Sequence, residues 1–264
     1  SIDSDVDRFT FSISTFTLEA QQDLTGLDAG LIVLSDSGTL VGFQDFDDVT
    51  TGQLDGALIK DRTYNNHYNR HIADAGDING DGFDDFLISI TNIYHGYDSM
   101  VGQTYLIYGS DTLTDDDYSL GNLDNNGFDG ATFTGINAWD YLGSTITGIG
   151  DTNGDGFDDL IISALEHDPL DAGGGSYYLL YGSAQGLHGD IDLADISAGT
   201  LSGAVFHGGE YRDFDQQHVA GVGDVNGDGL ADFAIVSDGR FLNDNDGDVV
   251  YLIDGNATKF EGDI

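Results

Sequence analysis

The sequence predicts an all-β chain: a β-propeller-like array of four-stranded antiparallel blades, about four units in all. Three observations lead there. One acidic loop recurs three times at nearly equal spacing. Each copy runs into a short apolar segment rich in β-branched residues. Glycine is abundant, at 39 of 264 residues, while runs of helix formers are absent and the best periodicity is two rather than 3.6.

The loops read Asp77-Ile78-Asn79-Gly80-Asp81-Gly82-Phe83-Asp84-Asp85, then Asp151-Thr152-Asn153-Gly154-Asp155-Gly156-Phe157-Asp158-Asp159, then Asp224-Val225-Asn226-Gly227-Asp228-Gly229-Leu230-Ala231-Asp232. They start 74 and then 73 residues apart, a fixed period that indicates an array, solenoid or propeller.

In chain order, residues 30–34 and 56–59 supply third- and fourth-strand equivalents of an atypical first unit, residues 1–61. The alternating stretch from Phe9 to Leu18 is expected to complete it as a hairpin. Repeats at 62–135, 136–208 and 209–264 follow within one domain, 1–264. In the second repeat the strands are expected at 144–149, 159–163, 176–181 and 203–206. The last repeat ends its third strand near Gly255, and a blade of four antiparallel strands is the propeller unit.

The loop pattern, Asp-x-Asn-x-Asp-Gly-x-x-Asp, fits a hard cation. Calcium takes six to eight oxygen ligands, many of them carboxylates and carbonyls. Side chains at alternate positions can converge on one point: Asp77, Asn79 and Asp81 in the first copy, with the Phe83 carbonyl adding an oxygen and Asp85 closing the shell. The corresponding sets are Asp151, Asn153, Asp155, Phe157 and Asp159, then Asp224, Asn226, Asp228, Leu230 and Asp232. Three Ca2+ sites are therefore expected. An EF-hand would place an acid at the twelfth position and continue into a helix. Here the twelfth residues are Ile88, Ile162 and Ile235, inside apolar runs that read as strands. The competing reading is a metal-free Asx-Gly turn.

These residues resemble the FG-GAP repeat of integrin α-subunit propellers and many bacterial surface proteins. The resemblance covers about residues 30–255 and is most specific at the metal loop. It implies structural calcium at the loop residues named above and a ring of blades. Propellers of that family usually have seven. Four units leave two expectations: a piece of a larger ring, or a ring completed by a partner chain or oligomer.

Composition narrows the function further. Forty-eight acids oppose seven bases, a formal net charge of −41. Nucleic acid and anionic membranes demand basic patches, so neither is an expected partner. No apolar stretch is long enough for a membrane-spanning helix, so membrane insertion is not expected. Cysteine is absent, which excludes disulfides and thiol chemistry. Loops of exposed aspartate suit compartments with millimolar calcium. Together with the acidity, that points to a secreted or cell-surface protein in salty or marine water.

Strand order places the acidic loops at one end of each blade and the remaining connections at the other. That opposite face collects Tyr64, His67, Tyr97, Trp139, Tyr211 and Arg212, residue types that commonly anchor ligands. The reading that follows is a calcium-stabilised binding or scaffold module for surface adhesion or assembly, its partner a surface protein or a glycan. The alternative is a lectin or a polysaccharide-degrading enzyme. Its densest catalytic candidates are Arg62, Tyr64, His67, Arg70 and His71, which match no nucleophile or metalloprotease motif.

Overall fold

Short β-branched runs bounded by glycine and aspartate turns settle as strands, and a computed structural model of the chain has this character throughout. It describes residues 30–34, 40–45, 58–60, 70–91, 100–111, 113, 117–123, 129–164, 175–208, 218–237 and 249–264. The chain divides into two compact units, residues 1–60 with 113–118 and residues 61–112 with 119–264.

In the smaller unit β1 (Gly30–Leu34) pairs antiparallel with β2 (Leu40–Asp45), a strand the sequence reading omits. Strand β3 (Leu58–Lys60) is hydrogen-bonded to β7 (Asp117–Ser119). The hairpin expected over Phe9 to Leu18 lies outside the described residues.

The larger unit holds three antiparallel sheets, none closed into a barrel. The first runs β4 (Arg70–Gly76), β5 (Asp85–Ile90), β6 (Gln103–Ile107), β8 (Gly130–Thr134). The second runs β9 (Ile146–Gly150), β10 (Asp159–Ala164), β11 (Ser176–Leu180), β13 (Gly203–His207). The third runs β14 (His218–Gly223), β15 (Asp232–Ser237), β16 (Val249–Ile253). In the second sheet every strand lies within two residues of its expected bounds.

Two short strands reach backwards. Strand β12 (Gly189–Ile191), between β11 and β13, pairs parallel with β8 of the preceding sheet. Strand β17 (Gly262–Asp263), which follows β16, pairs parallel with β13. A single helical turn, α1 (Ala194–Ser197), lies between β12 and β13.

The second sheet is packed on both faces. Because side chains alternate along a strand, Leu160 and Ile162 of β10 join a core with Leu87, Leu106, Ala131 and Phe133 of the first sheet. Ile161 points the other way and joins Tyr177 and Leu179 against Phe233 and Ile235 of the third. All of β10 and β11 is consequently buried. The third sheet has an open face, with Val250 62% and Leu252 56% exposed. The first strands of the three sheets approach closely. A Cβ on Gly148 of β9 would lie 2.7 Å from the backbone of Ala75, and one on Gly221 of β14 would lie 2.8 Å from that of Ile149. Among the described residues no helix is long and apolar enough to cross a membrane.

Candidate metal centre

Each acidic loop leaves its first strand through a β-bulge. The register slips between Asp74 and Gly76, at Asp159/Leu160 opposite Gly150 and Gly148, and between Gly221 and Gly223. The residue after each slip is a glycine with φ of +74°, +79° or +69° (Gly76, Gly150, Gly223), a left-handed conformation that glycine adopts without a Cβ penalty. The chain is thereby turned out of the sheet into the loop.

Within the loop the first aspartate organises the backbone. Asp77 Oδ1 accepts from the N–H of Gly80 (2.7 Å) and Asp81 (3.0 Å), and Oδ2 accepts from Gly82 N–H (2.9 Å). Asp151 and Asp224 repeat the pattern with Gly154, Asp155 and Gly156, and with Gly227, Asp228 and Gly229. Asp81 Oδ1 takes the Phe83 N–H at 2.9 Å, and Asp228 Oδ1 takes that of Leu230 at 2.9 Å. One carboxylate thus serves three N–H groups and holds the following acids close to it.

The last aspartate of each loop staples the loop base to the third strand's end. Asp85 accepts from Ile78 N–H and Gly109 N–H, both at 2.9 Å. Asp159 accepts from Thr152 N–H (2.9 Å), Thr152 Oγ1–H (2.5 Å) and Gly182 N–H (3.0 Å). Asp232 accepts from Val225 N–H (2.9 Å) and Gly255 N–H (2.7 Å). All three side chains are inaccessible to solvent. Burial pushes the Asp85 carboxyl up to about 6, with the charges of Asp81 and Asp77 adding to the shift. Burial likewise pushes Asp159 up to about 6, aided by Asp155. Asp232 is instead held below the ordinary range, first by the Gly255 N–H. The Val225 N–H lowers it further, and burial opposes the shift without overcoming it.

Successive loops are layered. Asp158 N–H donates to the Asp77 carbonyl (3.2 Å), Asp77 N–H returns a bond to Asp158 Oδ2 (2.9 Å), and Ser183 N–H donates to the Ile78 carbonyl (2.9 Å). One repeat on, Ala231 N–H donates to the Asp151 carbonyl (2.9 Å) and Asn256 N–H to the Thr152 carbonyl (2.7 Å). The Phe157 ring lies where a Cβ on Gly80 would stand, 2.5 Å from it, and Leu230 does the same at Gly154.

Among the described residues no three His, Cys, Asp or Glu side chains stand together as a ready metal cluster. The loop carboxylates are turned onto their own N–H groups. The donor set nonetheless suits a hard cation: aspartate and asparagine oxygens in threes, with no sulfur or imidazole. One atom is left over. Asn153 is buried, and its Oδ1 has no hydrogen-bond partner. Its Nδ2 leans toward Asp159 at 3.4 and 3.5 Å. A buried amide oxygen without a donor is costly, and a cation among Asp151, Asn153 and Asp155 would satisfy it.

No family model and no curated protein sequence matches this chain significantly.

Of the candidate ligand face, Tyr64, His67, Tyr97, Tyr211 and Arg212 lie outside the described residues. Trp139 lies in the connection from β8 to β9, at the end of the strands opposite the acidic loops. It is 44% exposed. Its ring centroid is 6.3 Å from that of Tyr141, and both residues have left-handed backbones, with φ of +73° and +50°. Arg62 and Tyr64 likewise lie outside the described residues, while Arg70 and His71 are exposed at the start of β4. Sequence reasoning missed Tyr108 and Tyr181. Each hydroxyl accepts from and donates to the backbone of the next repeat, at Leu187 and at Phe260. Their matching positions one repeat apart were the available signal.

Proposed function

We infer that the chain is an extracellular calcium-binding module of the FG-GAP type, its sheets arranged as propeller blades, serving as a scaffold or binding domain in surface adhesion or assembly. The observation that carries this is the buried Asn153 oxygen left without a hydrogen-bond partner in a loop whose other donors are aspartate oxygens. Two further loops have the same donors. The close approach of β4, β9 and β14 supports a radial arrangement of blades, with these strands innermost. The open face of the third sheet is compatible with a partner surface. Calcium here is structural: it replaces N–H groups as the partner of crowded carboxylates and locks each loop to its neighbour. Equilibrium dialysis with elemental analysis tests the reading. Three calcium ions per chain are expected, and an empty protein at millimolar calcium would sink it.

A second reading, glycan binding, is favoured by Trp139. An exposed indole on a left-handed backbone is an expensive arrangement on a bare surface, and such strain often accompanies function. A glycan array probed with the protein and with Trp139→Ala tests it. Equal signals from the two would remove this reading.

A further inference from the structure

We propose that Lys259 is a tethered cation that competes with the metal ion at the second acidic loop, so that the three loops bind calcium with unequal affinity. This rests on the calcium reading above.

The position of Lys259 is set by the repeat. The turn from Asn256 to Lys259 is the counterpart of the turn from Ser183 to Gly186 one repeat earlier. Lys259 N–H donates to the Asn256 carbonyl and Gly186 N–H to the Ser183 carbonyl, both at 2.8 Å. Their φ values are +62° and +64°. Each turn is hung on the preceding loop, by Asn256 N–H to the Thr152 carbonyl and by Ser183 N–H to the Ile78 carbonyl. The earlier repeat uses glycine in this left-handed slot, as backbone sterics favour. The later repeat places there one of the chain's two lysines, against a net charge of −41.

Its ammonium reaches into the loop. Lys259 Nζ lies 3.0 Å from Asp155 Oδ2 and 4.7 Å from the centre of the Tyr181 ring. Tyr181 is itself fixed by the Phe260 N–H and carbonyl. Asp155 Oδ1 accepts the Phe157 N–H at 3.2 Å, so both oxygens of this ligand are engaged.

The loop interior has rearranged to match. In the first and third loops the asparagine amide donates to the middle aspartate, Asn79 to Asp81 and Asn226 to Asp228, each at 3.0 Å. In the second loop Lys259 takes that oxygen. Asn153 leans instead toward Asp159, which strands its own Oδ1. A divalent ion needs the Asp155 oxygen that the ammonium holds and lies within a few ångströms of a like charge. Both side chains are about one-third exposed, so solvent moderates the repulsion. A weakening of the second site by about tenfold is expected, the order produced by one partly screened unit charge.

Calcium titration by calorimetry, with a competing chelator, tests this on the wild-type chain, Lys259→Gly and Lys259→Arg. The glycine variant copies the preceding repeat's turn and keeps the fold. Two tight sites and one weak site are expected in the wild type. Lys259→Gly should tighten the weak site by about tenfold, and Lys259→Arg should leave it weak. Unchanged affinities in Lys259→Gly, or equal tightening in both variants, would overturn the proposal with the calcium reading intact. No calcium uptake by any of the three proteins would overturn both.

Discussion

The second and third acidic loops have the same residue types at their ligand positions and different surroundings. The second is roofed by the third repeat: Thr152 is 1% exposed, and Leu230 and Gly255 close over it. Over the third no such contacts stand among the described residues, and Val225, the counterpart of Thr152, is 52% exposed. Burial outweighs the N–H donors at Asp159 and drives its carboxyl up, while at Asp232 the donors, the Gly255 N–H first, outweigh burial and draw the carboxyl down. One motif therefore gives two electrostatic outcomes, and what decides between them is the neighbour rather than the loop.

Metal removal is the strongest way to probe that contrast. A ligand bound only by the native state at a hundredfold excess over its Kd stabilises by roughly 2.7 kcal/mol per site. Three sites lost together should lower the Tm of a domain this size by on the order of 15 °C. Differential scanning calorimetry in calcium and in excess chelator checks this, and an unchanged Tm would falsify structural calcium. Native-state hydrogen exchange in chelator should show β14 to β16 opening before β9 to β11, because β16 is exposed at Val250, Tyr251 and Leu252 while all of β10 and β11 is buried.

The next effect contrasts equivalent leucines. Leu106, Leu179 and Leu252 occupy the same strand position in the three sheets, paired with Leu87, Ile161 and Ala234. Leu179→Ala, in the packed interface, is expected to cost about 3 kcal/mol in urea unfolding. Leu252→Ala, on the open face, should cost about 0.5 kcal/mol or less. Equal losses would mean that the open face is covered in solution.

A pH effect has one sign in the first two loops and the opposite sign in the third. The Asp85 and Asp159 carboxyls titrate near 6 in the folded chain and near 3.9 when unfolded. Between those values the folded state binds more protons, so metal-free stability should fall as pH rises from about 4 to about 6. Asp159 contributes up to about 3 kcal/mol to that fall. Asp232, lowered on folding, adds stability above the unfolded value that is lost as pH drops through its folded value. Denaturation midpoints across pH 3 to 7 in chelator should follow the first trend, and saturating calcium should abolish it. The same downward trend persisting in calcium would show that the ion does not engage these carboxylates.

The strands and loops were legible because they repeat. Leu160 to Ser163 and Phe233 to Val236 follow the same Asp-x-Asn-Gly-Asp-Gly-x-x-Asp signal, and three copies average out the ambiguity of any single apolar run. The short strands β12 and β17 were not legible. Gly189-Asp190-Ile191 and Gly262-Asp263 have weak strand propensity, and they are strands only because an earlier sheet offers an edge. Lys259 was also invisible, since nothing local links it to Asp155, 104 residues away in the chain. Gly186 and Lys259 fill one turn position, but only the fold shows what that position faces. The task of the last aspartate was half legible: Asp85 belongs to its loop, yet its tie to Gly109 needed the third strand in place.

The backward-reaching strands also impose an order on synthesis. As the chain leaves a ribosome, β8 waits with a bare margin until residues 189–191 emerge, and β13 waits for residues 262–263. The first and second sheets are thus sealed by polypeptide made later, so a pause in translation before it would expose an unpaired border, the kind of surface that recruits strangers.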